Sequence, residues 1–109
     1  MASRKRADGD PFEVDRVIHE PARLIITAHL YVIDCADYVY LMQNTGLTWG
    51  NLSSHLSKLE AAGYIEITKE FVERKPHTMA KLTEAGRAAF DAYRRQMKAL
   101  FADLPDETN

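Results

Sequence analysis

The chain has 109 residues, 46% of them hydrophobic, which is enough for one domain with a modest core and too few for two. Its 16 acidic and 14 basic residues leave a formal net charge of −2, so the composition supplies no general attraction to polyanions. The single cysteine, Cys35, excludes an internal disulfide and suits a reducing compartment.

The first ten residues are polar, contain the basic run Arg4-Lys5-Arg6 and are followed by no long apolar segment. We therefore expect a cytoplasmic location, without a signal peptide or membrane span. Residues 1–10 are predicted to form a flexible tail, although an arm that touches phosphates or a minor groove is an alternative. A single domain is predicted over 11–104, and a short C-terminal tail over 105–109.

An outer helix is predicted to begin at Asp10-Pro11, because a capping residue followed by proline is typical of a helix start. Its apolar residues would be Phe12, Val14, Val17 and Ile18.

Residues 38–43 are apolar and predicted to be helical, and Asn44-Thr45-Gly46 breaks that helix. A second helix is predicted over 49–62, where Thr48 can cap the start and Gly63 can supply the left-handed residue that ends it. Its apolar side chains recur at helical spacing: Leu52, Leu56 and Leu59. Two helices joined by a glycine-containing break are the layout of a helix-turn-helix.

The face opposite this leucine stripe carries small polar side chains, one lysine and no carboxylate before Glu60. Such a face can approach a nucleic-acid groove, where a carboxylate would repel phosphates. The expected base readers are Asn51, Ser53 and Ser54, and the expected phosphate contacts are Thr48, Gly50, Ser57 and Lys58. Gly50 either admits a phosphate or is simply tolerated in the first turn. Trp49 is a further candidate contact, although its position at the edge of the stripe favours partial core packing.

Residues 64–68 alternate apolar and polar side chains and are predicted to form a strand. Residues 71–77, which contain a proline and the adjacent Arg74 and Lys75, are predicted to be a loop tip, with a returning strand over 78–82. A helix-turn-helix followed by a β-hairpin is a winged helix, and the two basic residues of its wing would hold the DNA backbone.

From residue 83 onward, apolar side chains recur at helical spacing for about 20 residues, which is about 30 Å of helix. This stripe exceeds what a small winged helix needs for its own core, so we expect it to pack against a second copy of the chain. The predicted dimer interface comprises Phe12, Val17, Phe90, Tyr93, Met97, Leu100 and Phe101. The alternative is that this helix folds back over the first helix of a monomer.

Three segments resemble MarR-like and ArsR-like winged-helix transcriptional regulators over roughly residues 18–90. Leu47-Thr48-x-x-x-Leu52-Ser53-x-x-Leu56-x-x-Leu59-Glu60-x-Ala62-Gly63-Tyr64-Ile65 resembles their recognition-helix segment. Glu20-Pro21-x-Arg23-Leu24 resembles the start of their first helix, and Leu82-Thr83-x-x-Gly86-Arg87 the helix after the wing. The resemblance implies a mainly α fold with a small β-hairpin wing (α+β) and a dimer formed by the N- and C-terminal helices. It also implies that an aromatic effector could bind, with Tyr31, Tyr38 and Tyr40 as candidate lining residues, although core packing explains them equally well.

No spacing in the chain predicts a catalytic pair, a phosphate loop, a metal site or a cofactor. Asp34-Cys35-Ala36-Asp37 only faintly resembles the metal-binding box of some ArsR-like sensors, because the second thiol is missing. A redox role for Cys35 would need a lowered pKa, which the neighbouring carboxylates oppose, so a structural role is favoured.

These patterns together predict a dimeric, sequence-specific regulator of transcription, expected to be a repressor, which is not an enzyme. Its recognition helix would enter the major groove of double-stranded DNA while the wing contacts the flanking backbone. The alternative is a winged-helix module that binds a protein partner instead of DNA.

Overall fold

A computed structural model describes residues 13–105, and this range contains four helices and three strands. In chain order they are α1 (Pro21–Ile33), β1 (Cys35–Asp37), α2 (Tyr38–Thr45), α3 (Trp49–Ala61), β2 (Ile65–Val72), β3 (Lys75–Leu82) and α4 (Glu84–Ala102). None of these four helices is both long enough and apolar enough to cross a membrane. The α+β winged-helix fold predicted from the sequence is confirmed.

The residue immediately before each helix caps it, because its side chain accepts a hydrogen bond from the backbone amide three residues later. Glu20 caps α1 in this way, Asp37 caps α2, Thr48 caps α3 and Thr83 caps α4. The bond satisfies one of the amides that a helix start leaves without an intrahelical partner. The starts predicted at Pro21 and after Thr48 are therefore confirmed, with the caps that explain them.

Each of the two helices of the helix-turn-helix ends at a glycine in the left-handed conformation. Gly46 has φ 77° and donates its N–H to Met42 O (2.9 Å), which ends α2 three residues before α3 begins. Gly63 has φ 82° and donates to Glu60 O (2.9 Å), while Tyr64 N donates to Leu59 O (3.0 Å). This pair of bonds is a Schellman motif and stops α3 at Ala61, one residue before the predicted end.

The three strands form an antiparallel sheet in the order β1-β3-β2. β2 and β3 pair from Ile65–Leu82 at the base to Val72–Lys75 at the tip, and β1 pairs only with residues 79–81. The prediction of a loop over 71–77 was wrong, because the turn consists of Glu73 and Arg74 alone, with φ 52° and 70°. Two successive left-handed residues give a two-residue turn whose twist matches the hairpin, so both strands continue to the tip.

The helix predicted to begin at Asp10-Pro11 is not present in the described part of that segment, and Phe12 lies outside the described residues. Residues 13–15 instead have no regular secondary structure, and 16–20 form a turn and a bend. The physical reason is Asp15, whose Oδ1 accepts from Val17 N (2.9 Å) and from Ile18 N (3.2 Å). An aspartate side chain that accepts hydrogen bonds from the amides two and three residues later in the chain competes with helix formation.

The core has two parts. The leucine stripe of α3 is fully buried against α1 and α2 in the larger cluster, which includes Leu52, Leu56, Leu59, Ile26, Leu30 and Leu41. A smaller cluster places Phe90 and Tyr93 of α4 over Ile18 and the outer side of α1. The first half of α4 is therefore packed within one chain, whereas Phe101 and Leu104 beyond it are 59% and 60% exposed.

Candidate nucleic-acid interface

The outward face of α3 is polar and open. Gly50, Asn51, Ser54, Ser57 and Lys58 are exposed, and Ser53 is half-buried. The leucine spacing places Gly50, Ser54, Ser57 and Lys58 opposite the core and Asn51 and Ser53 at the edges of that face, so the predicted sidedness of the helix is confirmed. We call the exposed residues and Ser53 the recognition face.

The start of α3 leaves room for close approach. Thr48 Oγ1 accepts from Asn51 N (3.2 Å), and the first turn contains no acidic residue. A Cβ added to Gly50 would meet nothing within 4 Å. The positive end of the helix dipole is thus uncovered, which is the local arrangement that favours an anion such as a phosphate.

Trp49 occupies an intermediate position. Its ring lies 4.9 Å from that of Tyr38, centroid to centroid, yet the side chain is 54% exposed. Burial, with a smaller contribution from the charge of Glu60, raises the pKa of Tyr38. Trp49 therefore combines the partial packing expected from the sequence with a free edge at the start of the recognition face.

His55 points away from the recognition face, towards the start of α1. Its Nδ1 lies 3.1 Å from an Arg23 guanidinium nitrogen and 3.7 Å from Glu20 Oε1. Arg23 Nε also donates to Val17 O (2.6 Å), so the same arginine joins the segment before α1 to α3. The hydrogen bond from the Arg23 amide lowers the pKa of Glu20, and the positive charge of Arg23 adds to this effect. These contacts fix the orientation of α3, and no spacing in the sequence points to them.

The wing carries its basic residues at the tip. Arg74 lies in the turn and Lys75 begins β3, and both are exposed. Glu70 and Glu73 are exposed nearby, so the tip holds charges of both signs. Phe71, 76% exposed, was not among the residues singled out from the sequence. The sequence predicted a loop tip over 71–77 at this position, whereas the structure continues β2 through it to Val72.

The residues predicted for a dimer interface fall into two groups. Phe90 and Tyr93 are buried within the chain and Val17 is half-buried, whereas Met97 and Leu100 are half-buried near the end of α4 and Phe101 is exposed. A cleft of 540 Å³ opens beside them, lined by Leu24, Phe90, Asp91, Tyr93, Arg94, Arg95, Met97 and Lys98. Ile25 and Val32 of α1 are also exposed, at 45% and 81%.

The three tyrosines considered for an effector site have different neighbours. Tyr31 packs against Phe90 of α4 and donates to Asp91 Oδ1 (2.6 Å), whereas Tyr38 packs against Trp49. Tyr40 lies edge-on to His29 at a centroid distance of 6.0 Å.

The segment Asp34–Asp37 forms the turn into β1 and the strand itself. Arg87 and Lys81 form ion pairs with Asp34 at 3.1 and 3.9 Å, while Cys35 is an exposed residue of β1. Within residues 13–105, no three His, Cys, Asp or Glu side chains converge as metal ligands would.

This architecture places the chain in a known class. Residues 22–101 match the family described as "Winged helix DNA-binding domain", so the chain belongs to that family. An uncharacterised protein of Methanocaldococcus jannaschii is 36% identical over 78 residues, which are 72% of this chain and 85% of that protein.

Two solved structures extend the comparison. A transcriptional regulator homologue from Pyrococcus horikoshii OT3 superposes with a TM-score of 0.80 at 27% identity, over 84% of this chain and 91% of that one. A MarR-family transcriptional regulator from Silicibacter pomeroyi superposes with a TM-score of 0.59 at 22% identity, over 84% and 64% of the two chains. The likeness to winged-helix regulators of the MarR and ArsR type predicted from the sequence is therefore confirmed at the level of the fold.

Proposed function

We propose that this protein is a dimeric, cytoplasmic transcriptional repressor that reads double-stranded DNA with the recognition face of α3. The observation that carries the proposal is the surface of this helix, which buries its leucines completely and exposes small polar side chains with one lysine. The family is described as DNA-binding, and the Pyrococcus horikoshii relative as a homologue of a transcriptional regulator.

In the proposed complex, α3 enters the major groove, which is wide enough for one helix. Asn51, Ser53 and Ser54 face base edges, and the amide of Asn51 can bond to adenine through both of its polar atoms. Phosphates approach the open start of the helix at Thr48 and Gly50, with Ser57 and Lys58 further along. The exposed edge of the Trp49 ring would contact the DNA beside the phosphate bound at Thr48 and Gly50.

The wing would contact DNA outside the segment read by α3. Arg74 and Lys75 are placed to bind phosphates on the flank, where they add affinity that does not depend on sequence. The recognition face and the wing are separate patches on one domain, so the proposal has both contacts form at the same time.

The dimer is proposed from the apolar surface that one chain leaves exposed. Ile25 and Val32 on α1, Phe101 on α4 and Leu104 just after it are exposed, and Leu24 of α1 and Met97 of α4 line the 540 Å³ cleft. The same surface of a second copy would cover them. Two recognition helices related by a two-fold axis would then read half-sites about 34–36 Å apart, one turn of the double helix.

The proposal is tested with labelled duplexes from the DNA upstream of the gene, and with scrambled duplexes, in a fluorescence anisotropy titration over a salt series. Arg74→Ala combined with Lys75→Ala should weaken binding to every sequence and lower the salt slope by about two for each wing. Lys81→Ala is the matched control, because Lys81 lies on the same strand but at the base of the wing, 3.9 Å from Asp34. Equal effects of the two changes would contradict the docking.

Base reading needs a separate test. Asn51→Ala and Ser54→Ala should reduce the preference for the upstream sequence over the scrambled one, by about 1–3 kcal/mol for a lost bidentate contact, with an unchanged salt slope. Repression is then tested by fusing the upstream DNA to a reporter gene. Increased reporter output when the protein is present would contradict repression.

A protein-interaction module remains the competing function. The two are distinguished by electrostatics, because affinity for DNA falls steeply with salt whereas contact with a protein partner through small polar and apolar groups changes little. Binding to a protein partner that survives high salt, with no binding to any duplex, would favour the module.

A further inference from the structure

The tip of the wing is apolar as well as basic. Phe71 is the second-to-last residue of β2, just before Val72, and its side chain is 76% exposed. Its partner across the hairpin is Pro76. Exposing an aromatic side chain of this size forgoes the stabilisation that burial would give, so a contact with a partner would regain it. We call Phe71 and Pro76 the apolar tip.

The apolar tip lies on the helix side of the sheet. Successive side chains of a strand point to opposite sides, so Phe71 shares its side with Ile65 and Ile67. Ile65 is buried and Ile67 packs against the larger core cluster, which fixes that side as the one that faces the helices. The hairpin is eight pairs long, and its third strand reaches only residues 79–81, so its outer half projects beyond the body.

The carboxylates of the hairpin strands lie on one side of the sheet. Lys69 is the neighbour of Phe71 on the helix side, whereas Glu66 and Glu70, together with Lys75 and Lys81, point to the other side by the same alternation. The side that carries Phe71 therefore has a positive charge and no strand carboxylate, which complements a phosphate backbone. One phenylalanine and one proline are far too little surface for a stable protein interface, which needs on the order of 1,200 Å².

We infer that the apolar tip enters the minor groove of the flanking DNA, where Phe71 wedges against one base step and bends the duplex. Inserted apolar side chains are a known means of partly unstacking a step from the minor groove, with bends of about 20–90°. This inference rests on the proposed DNA-binding function and deepens it. A wedge is cheapest at a flexible pyrimidine–purine step, so the wing selects flanks by deformability without reading bases.

The test compares Phe71→Ala with Val72→Ala, which removes an exposed apolar side chain from the opposite side of the same hairpin. Anisotropy gives the affinity, and energy transfer between dyes on the two duplex ends gives the bend. Phe71→Ala should weaken binding about tenfold, reduce the bend and leave the salt slope unchanged, while Val72→Ala matches the wild type. Phe71→Leu should restore most of the bend, because it restores an apolar wedge.

A duplex cut back to the half-sites supplies the last control. Without the flank, wild type and Phe71→Ala should bind equally. If the wild type binds the full duplex and Phe71→Ala binds it with the same affinity and the same bend, the wedge is overturned and the proposed function stands. Absence of any wild-type binding to duplex DNA would overturn both. A shift from dimer to monomer in Phe71→Ala, measured by sedimentation, would assign the tip to a contact between copies and also overturn the wedge.

Discussion

Gly86 is the position at which we predict a large effect from a single methyl group. A Cβ there would lie 2.2 Å from the carbonyl oxygen of Tyr64 and 2.8 Å from Leu82 Cδ1. The Tyr64 oxygen also accepts from Thr83 N (2.9 Å), so it cannot move aside without breaking that bond. Overlap with a backbone atom of this depth belongs at the upper end of overpacking costs, about 3 kcal/mol. Alanine regains about 1 kcal/mol of helix propensity, so Gly86→Ala should lower the free energy of unfolding by about 2 kcal/mol.

Urea denaturation followed by circular dichroism measures this free energy, with the protomer concentration held constant because a dimer gains stability with concentration. Gly50→Ala is the matched control, since a Cβ there meets nothing within 4 Å and the helix should gain about 0.5–1 kcal/mol. The two variants thus make the same chemical change with opposite predicted signs. Equal stabilities would refute the close contact between α4 and Tyr64. Gly50→Ala should also weaken DNA binding, if its open space admits a phosphate.

Three further predictions concern pH and assembly. A hydrogen bond from the Arg23 amide lowers the pKa of Glu20, so its contribution to stability is present above the ordinary value of 4.5 and is lost as pH falls below it. Glu20→Gln should therefore lose stability at pH 7 and little at pH 3, and urea midpoints that shift equally at both pH values would contradict this. Burial and the hydrogen bond to Asp15 raise the pKa of Tyr64 to about 12, so its contribution is complete below pH 10 and is lost as pH rises towards 12. Tyr64→Phe should lose less stability than the wild type between pH 9 and 11.5, and parallel declines in the urea midpoint would count against it. Phe101→Glu should dissociate the proposed dimer with an unchanged circular dichroism spectrum, whereas Phe101→Leu should not; a sedimentation coefficient unaltered by the glutamate would exclude this interface.

The parts of the fold that the sequence predicts correctly are those fixed by neighbours along the chain. The leucines of α3 recur at helical spacing, Thr48 caps the helix three residues before its amide partner Asn51, and Gly63 ends it. Each of these contacts spans five residues or fewer, so the pattern and the structure report the same local physics. The sidedness of the recognition face follows directly.

The errors occur where residue type and backbone conformation disagree. Glu73 and Arg74 adopt left-handed conformations that usually belong to glycine or asparagine, so the sequence contained no signal for a two-residue turn. Asp10-Pro11 has the order of a helix start, but the side chain of Asp15 commits the following residues to a turn instead. In both places a local competition decides the structure, and composition does not reveal which conformation wins.

Contacts between residues that are far apart in the chain could not be predicted from the sequence. β1 has three residues and pairs with residues 79–81, more than 40 positions away. His55 of α3 contacts Arg23 of α1 across 32 positions, and no local pattern in the sequence indicates this contact. Phe71 was predicted to lie in a loop tip, and only the pairing with Pro76 across the hairpin shows that it belongs to a strand.

The most direct test of DNA reading by α3 is to measure, by fluorescence anisotropy, the affinity of the purified protein for its upstream duplex and for a scrambled duplex of equal length, between about 50 and 200 mM salt. We expect a higher affinity for the upstream duplex, and an affinity for both duplexes that falls steeply as the salt concentration rises. Binding that ignores salt, or no binding to either duplex at the lowest salt, would contradict a regulator that reads DNA through the recognition face of α3.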